Sequence, residues 1–478
     1  MAESHPRPHA ILFPYPYQGH ITPTVDLAVN LASRAFTITY VQLEFVHHAI
    51  SKAHDGVGDV DFFVEARKSG LDIRYTTMSD GFSLEFDRDL NLSEYWEGMM
   101  RDFPARVDEL VGSIMRSDAS AAAFYLVADT LYTWPAAVAK NHNVVNVSLW
   151  TAAATWFSIN YHLDLLIENG HLPYRGNGDN CINYIPGVRS ISSKDLMSYM
   201  QDPDAVPVLM KIVVKAFEQV KNADFILCNT VQELEPECLS ALNLKQPTYA
   251  IGPMNFSSDF TKMNVEKSLW AESDCTQWLN SKPPASVLYI SFGSIVQINK
   301  KEIVEIAHGL LLSHVNFIWI LRTTDALPVG FQDDVKERGL IVPWCNQNTV
   351  LSSPAVGGFL THCGWNSVLE SMWSGVPMIC YPFYVDQPTN RKLVVDDWKI
   401  GIDLCDGGRV TSEGVASKIN MLMRGKSSID LREEIKKVSK ILRNAFETDG
   451  SSQRNFDQFV DDLRVGLYSR REEIGSIK

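Results

Sequence analysis

The sequence predicts an α/β protein made of two Rossmann-like halves. Three observations carry that reading. The chain has 478 residues, more than one hydrophobic core ordinarily serves, so two domains are expected. Short apolar runs alternate with helix-like stretches, the pattern of a parallel sheet and its crossover helices. The alternation halts once, near residues 245–260, and then begins afresh.

The elements follow in order. His9–Pro14 is a short apolar run and reads as a strand. Pro23–Ser33 follows as a helix, with Pro23 suited to its first turn. Phe36–Val41 is the next strand. Ala122–Ala128, Trp134–Asn141 and Val144–Leu149 read as strand, helix and strand. From about Gly170 to Pro207 the clustering of Gly, Asn and Pro predicts a loop-rich excursion. Residues 222–230 (NADFILCNT) supply one more strand, and residues 246–264 (QPTYAIGPMNFSSDFTKMN) have linker character. The second half opens with strand Val287–Ser291 and helix Lys301–Leu312. Strands Phe317–Arg322, Leu340–Pro343 and Gly358–Thr361 come next, then helix Cys363–Ser374 and strand Pro377–Tyr381. Residues 451–469 (SSQRNFDQFVDDLRVGLYS) read as a capped helix. The division is drawn at 1–248, 249–450 and 451–478.

Composition narrows the function. A net charge of −14 repels phosphate backbones and argues against a nucleic-acid partner. It leaves room for one anionic small ligand in a locally positive site. The opening residues lack a cationic start followed by a long apolar run, so no signal peptide is expected. No membrane span is expected either. The eight cysteines are scattered without a CxxC pair and read as free thiols of the cytosol. A monomer is expected.

Generic motifs give little. No GxGxxG, GxSxG or HExxH occurs. Gly425-Lys426-Ser427 lacks the earlier glycine of a P-loop. Asp59-Val60-Asp61 and Asp202-Pro203-Asp204 resemble metal-binding triplets but sit in polar stretches, so no metal is expected.

The strand ends are more informative, because ligands of open α/β sheets bind beyond the carboxyl ends of the strands. In the second half those ends are followed by Gly293 and Ser294, by Trp344 and Gln347, by His362, Gly364, Asn366 and Ser367, and by Asp386 and Gln387. A strand running into a helix at residues 361–371 (THCGWNSVLES) offers unpaired N–H groups and the positive end of a helix dipole, which suits a diphosphate. Glu370, one turn behind, lies on the same face as Asn366 and Ser367 and can accept the hydroxyls of a ribose. Trp344 offers a flat face for a base. Trp344 and Trp365 also suit a core, and Asn366 and Ser367 a helix cap. In the first half, His20 lies in residues 15–23 (YPYQGHITP) just after a strand, and Asp129 ends another. A carboxylate on one imidazole nitrogen would orient the other to take a proton, although no serine or cysteine nucleophile stands beside them.

Trp344–Gln387 resembles the signature box of the plant family 1 UDP-sugar glycosyltransferases, in THCGWNS, in GVPM and in the closing Asp-Gln pair. The likeness extends to QGHITP, IPGV, NTVQELEPE, IGPM and SFGS, and so covers nearly the whole chain. It implies the two-domain GT-B fold, with the last helix crossing back onto the first domain. It further implies that Trp344 stacks on uracil, that Gln347 contacts the uridine, and that Ser294, His362, Asn366 and Ser367 hold the diphosphate. Glu370 would take the ribose, Asp386 and Gln387 the sugar hydroxyls, and Thr151 would reach the sugar. Cys345, Gly364 and Trp365 complete the donor set. His20 matches the family's base and Asp129 its partner. The co-substrate implied is UDP-glucose, with no other cofactor. Tyr15, Tyr17, Phe82, Leu131, Trp150 and Tyr384, with Trp134 and Phe157, are candidates for an aromatic acceptor slot suited to a lipophilic phenolic or flavonoid-like metabolite. Transfer to carbon rather than oxygen, a UDP-sugar-binding protein without turnover, and a carboxylate-pair hydrolase are the alternatives. Asn346 stands where the box commonly has proline.

Overall fold

The computed structural model describes residues 7–53, 61–173, 181–204, 207–256, 270–294 and 298–475. Two parallel sheets organise it. The first contains β1 (Pro8–Phe13), β2 (Thr37–Leu43), β3 (Ile73–Met78), β4 (Ala123–Asp129) and β5 (Val145–Trp150). A short antiparallel pair, β6 (Cys181–Ile182) and β7 (Ile191–Ser192), stands apart in the excursion. The sheet is completed by β8 (Phe225–Cys228) and β9 (Thr248–Ala250), giving the order β3-β2-β1-β4-β5-β8-β9. The second sheet contains β10 (Val287–Ser291), β11 (Asn316–Ile320), β12 (Gly339–Val342), β13 (Val356–Thr361), β14 (Met378–Cys380) and β15 (Gly401–Asp403). Its order is β12-β11-β10-β13-β14-β15. Central strands such as AFYLVAD and VGGFLT are buried almost throughout, as sheets covered on both faces require.

In each sheet the order reverses once, between β1 and β4 and between β10 and β13. Such reversals open a crevice at the strand ends where ligands bind. The two crevices face one another, and a cavity of about 360 Å³ lies between the halves, lined from both. The apolar core is continuous across the seam, from Trp150 and Ile226 in the first half to Tyr289 and Trp365 in the second.

The last helix, Ser451–Gly475, returns to the first sheet. Phe456, Phe459, Val460 and Leu463 join the first-half core, and Asn455 donates to the carbonyl oxygen of Ala250 at 2.9 Å. Residues 248–250, read as linker, are thus the strand β9, paired with β8. The division drawn at 248/249 falls at its first residue.

Two helix starts differ from the sequence reading. The first helix runs Gln18–Ser33, five residues longer at its start, and Pro23 lies inside it instead of in its first turn. The helix after β13 is Trp365–Ser374. It cannot include Cys363, which has a φ of 65°, and Gly364 stands as its extended N-cap. Of the acidic triplets, Asp59 and Val60 lie outside the described residues, while Asp61 pairs with Arg67 at 2.7 Å.

Candidate active site

His20 sits in the first turn of the helix that follows β1, and Asp129 is the last residue of the neighbouring β4. Adjacent parallel strands therefore bring together two residues 109 positions apart. His20 Nδ1 lies 2.7 Å from Asp129 Oδ2, and a carboxylate only accepts, so Nδ1 carries the proton and Nε2 is left to receive one. The other carboxylate oxygen accepts from the Leu131 backbone N–H at 2.9 Å, which fixes the buried carboxylate from both sides. Thr151 Oγ1 lies 2.9 Å from the same Nδ1. That position is on the Asp129 side of the ring, so Thr151 is not a nucleophile primed by Nε2.

Across the cavity stands the strand-end set of the second half. Every donor residue expected from the sequence lines it: Ser294, Trp344, Cys345, Gln347, His362, Gly364, Trp365, Asn366, Ser367, Glu370, Asp386, Gln387 and, from the first half, Thr151. His362 is buried between two glycines. A Cβ would come within 2.6 Å of its Nε2 from Gly293 and 2.4 Å from Gly364, so both positions need glycine. Burial pushes the His362 pKa down to about 4, and the ring meets a ligand as a neutral hydrogen-bonding group. Gln347 links three groups. Its Nε2 donates to Ser367 Oγ at 2.9 Å and to Glu370 Oε2, and its Oε1 accepts from the Tyr289 hydroxyl at 3.2 Å. Gln347 therefore braces the expected ribose carboxylate. Asn346 caps the helix Gln347–Leu351 by accepting from the Thr349 N–H at 2.9 Å, which replaces the proline common there with a side-chain cap. Gln387 Oε1 accepts from the Phe383 and Tyr384 N–H groups at 2.8 and 2.9 Å. Its amide N–H₂ is the end left to face a ligand. Burial raises the Asp386 pKa to about 6, against which Asn390 donates to Oδ2 at 2.7 Å.

The His20–Asp129 pair thus faces the strand-end residues of the second half across one cavity. Residues 207–445 match the family model described as UDP-glucoronosyl and UDP-glucosyl transferase. UDP-glycosyltransferase 86A1 of Arabidopsis thaliana is 53% identical over 471 residues, spanning 96% of this chain and 95% of that protein. The chain belongs to the plant family 1 UDP-glycosyltransferases. It is similar also to a 7-deoxyloganetin glucosyltransferase of Gardenia jasminoides, 34% identical over 95% of this chain and 97% of that one. Among solved structures, Os79 of O. sativa in complex with UDP superposes with a TM-score of 0.80 at 26% identity, covering 95% of this chain and all of that one. UGT2 of Phytolacca americana, complexed with UDP-2fluoro-glucose and pterostilbene, gives 0.77 at 25% identity, covering 96% of this chain.

In this transferase three of the expected acceptor residues, Tyr15, Tyr17 and Leu131, line the cavity. Phe82, Trp150 and Tyr384 do not. Phe82 packs on Phe86 and Tyr95. Trp150 is buried in the core, its Nε1 donating to the Ala153 carbonyl oxygen at 2.8 Å. Tyr384 is exposed. Trp134 and Phe157 are core residues as well. The lining missed by sequence comes from Trp96, Trp156, Tyr199, Leu209, Ile212 and Val213. The sequence reading places no element around Trp96; here it lies on the helix Leu92–Arg101 and stacks on Tyr15 at 4.7 Å and 7°. Trp365 lines the cavity while its Nε1 donates across the seam to the Asn229 carbonyl oxygen at 2.7 Å.

Proposed function

We propose that the enzyme transfers glucose from UDP-glucose to a hydroxyl of a small lipophilic acceptor, phenolic or flavonoid-like, with inversion at the anomeric carbon. The observation that carries this reading is the His20–Asp129 pair facing the donor residues across one cavity. His20 Nε2 takes the acceptor proton as the oxygen attacks, and Asp129 stabilises the imidazolium that forms. The sugar passes through an oxocarbenium-like state. The leaving diphosphate gains charge at the start of helix Trp365–Ser374, where the N–H groups and the dipole oppose it. Asp386 and the amide of Gln387 are assigned to the sugar hydroxyls, Trp344 to the uracil and Glu370 to the ribose. The cavity walls of tyrosine, tryptophan and aliphatic side chains favour a flat apolar acceptor. The glucosyltransferase relative and the neighbour holding UDP-2fluoro-glucose with pterostilbene support this donor and kind of acceptor. A reducing cytosol suits eight cysteines that form no disulfide, and we take the enzyme to act there as a monomer.

The test is a mass-spectrometric screen of small acceptors with UDP-glucose, with the anomer and the linkage read by NMR. A β-O-glucoside is expected. A carbon-linked product selects the C-transfer alternative, free glucose a hydrolase, and UDP binding without product a non-catalytic protein. A clear preference for UDP-galactose or UDP-glucuronate overturns the glucose assignment.

A further inference from the structure

The side chain of Asn366 has the diphosphate as its expected partner, yet its amide is engaged with the other half of the molecule. Nδ2 donates to the carbonyl oxygen of Gly19 at 2.7 Å, and Oδ1 faces Asn229 Nδ2 at 3.4 Å. The Gly19 carbonyl is available for a reason written in the sequence. Four residues on, where a helix would supply the N–H for it, stands Pro23, inside the helix and without that hydrogen. A Cβ at Gly19 would lie 3.2 Å from Asn366 Nδ2, so a larger residue there would press on the same amide. The residue that follows Gly19 is His20. The neighbouring Trp365 makes a second tie to the first half through Asn229.

We infer that Asn366 is a positioning residue. Its amide ties the backbone beside the base to the first turn of the donor-side helix, and so sets the span between the His20 ring and the bound sugar, while that turn's backbone meets the phosphate. The inference rests on the proposed role of His20. It assigns Pro23 a purpose too: a mid-helix proline frees one carbonyl for capture from the opposite half.

The experiment compares Asn366→Ala, Asn366→Leu and His20→Ala with the wild type. UDP affinity is measured by calorimetry. Turnover is measured on a weakly acidic phenol and on a phenol already ionised at the assay pH. A displacement of about 1 Å at a reacting centre costs about 10²-fold. The Asn366 variants should therefore lose about that factor in kcat on the weakly acidic phenol while UDP affinity stays within about threefold. On the ionised phenol the loss should shrink, in parallel with that of His20→Ala, because no base is needed. A fall of UDP affinity in step with kcat would make the side chain a phosphate ligand and overturn the inference, as would an equal loss on both phenols. If His20→Ala is slow on the weakly acidic phenol but the Asn366 variants are not, the tether alone is wrong. If His20→Ala is itself unimpaired, the base assignment fails and the tether loses its purpose with it.

Discussion

His20 is made specific by what surrounds one of its two nitrogens. Asp129 and Thr151 both sit at Nδ1, so the ring is held in one orientation and Nε2 faces the cavity. Removal of a general base typically costs about 10²–10⁴ in rate, and His20→Ala should lose that much kcat with UDP affinity nearly unchanged. Asp129→Asn should lose less, because the imidazole remains but its orientation relaxes. Steady-state turnover of both variants against calorimetric UDP binding checks this; undiminished turnover in His20→Ala would refute the mechanism. Asp386 gives a pH dependence. Its burial-raised pKa of about 6 means that the ionised, hydrogen-bond-accepting form prevails above pH 6 and is lost as pH falls through it. Affinity for UDP-glucose should weaken below pH 6, affinity for UDP should not, and Asp386→Asn should remove the difference. Titrations of both ligands from pH 5 to 8 read it directly.

The start of helix Trp365–Ser374 gathers the residues assigned to the donor in one element. The positive φ at Cys363, the extended cap at Gly364 and the buried His362 place the first-turn N–H groups at the crevice of the second sheet. Gly364→Ala would drive a methyl into His362 and should weaken UDP binding at least tenfold by calorimetry, whereas Gly375→Ala, at the other end of the same helix with open space around it, should alter stability and leave UDP affinity intact. Glu370→Ala removes a charged hydrogen-bonding group, worth about 1.5–3 kcal/mol, and should weaken UDP by roughly that amount; unchanged affinity would refute the ribose assignment. Much of this element was legible in the sequence, because its chemistry lies within a few consecutive residues after a strand. The buried strands β1, β4, β10 and β13 were legible for the same local reason. Of the edge strands, β12 was read at Leu340–Pro343, whereas β3, β9 and β15 were not: β3 reads IRYTTM, with polar residues on an exposed side, and β9 and β15 have three residues each. The helix Ala154–Tyr161 is buried on all sides but its end, so it has no amphipathic stripe to betray it. Pro23 pointed to a helix start because proline is common there, and only the tertiary use of the Gly19 carbonyl shows why it stands deeper. The acceptor wall was mostly hidden. Its side chains come from separated elements, and nothing local distinguishes Trp96, which lines the cavity, from Trp150, which does not.

At the scale of the molecule, the two halves are joined by a shared core, by hydrogen bonds at the base and by the returning helix Ser451–Gly475. Phe459 on that helix is fully buried against Phe225 and Tyr249 of the first half. Phe459→Ala should destabilise the protein by about 3–5 kcal/mol, seen as a lower thermal midpoint, while UDP affinity at a temperature where the variant stays folded is unchanged. A loss of UDP affinity in the folded variant would show that the helix acts on the donor site and not only on the first half. The returning helix also has a consequence for how the chain is made. Asn455 bonds to Ala250 across 205 residues of sequence, and at synthesis rates of about 5–20 residues per second that gap lasts roughly 10–40 s. During that interval the strands of the first sheet are made without the helix that covers them near β9, so the apolar face that Phe456, Phe459 and Val460 bury is open until residues 451–475 are added.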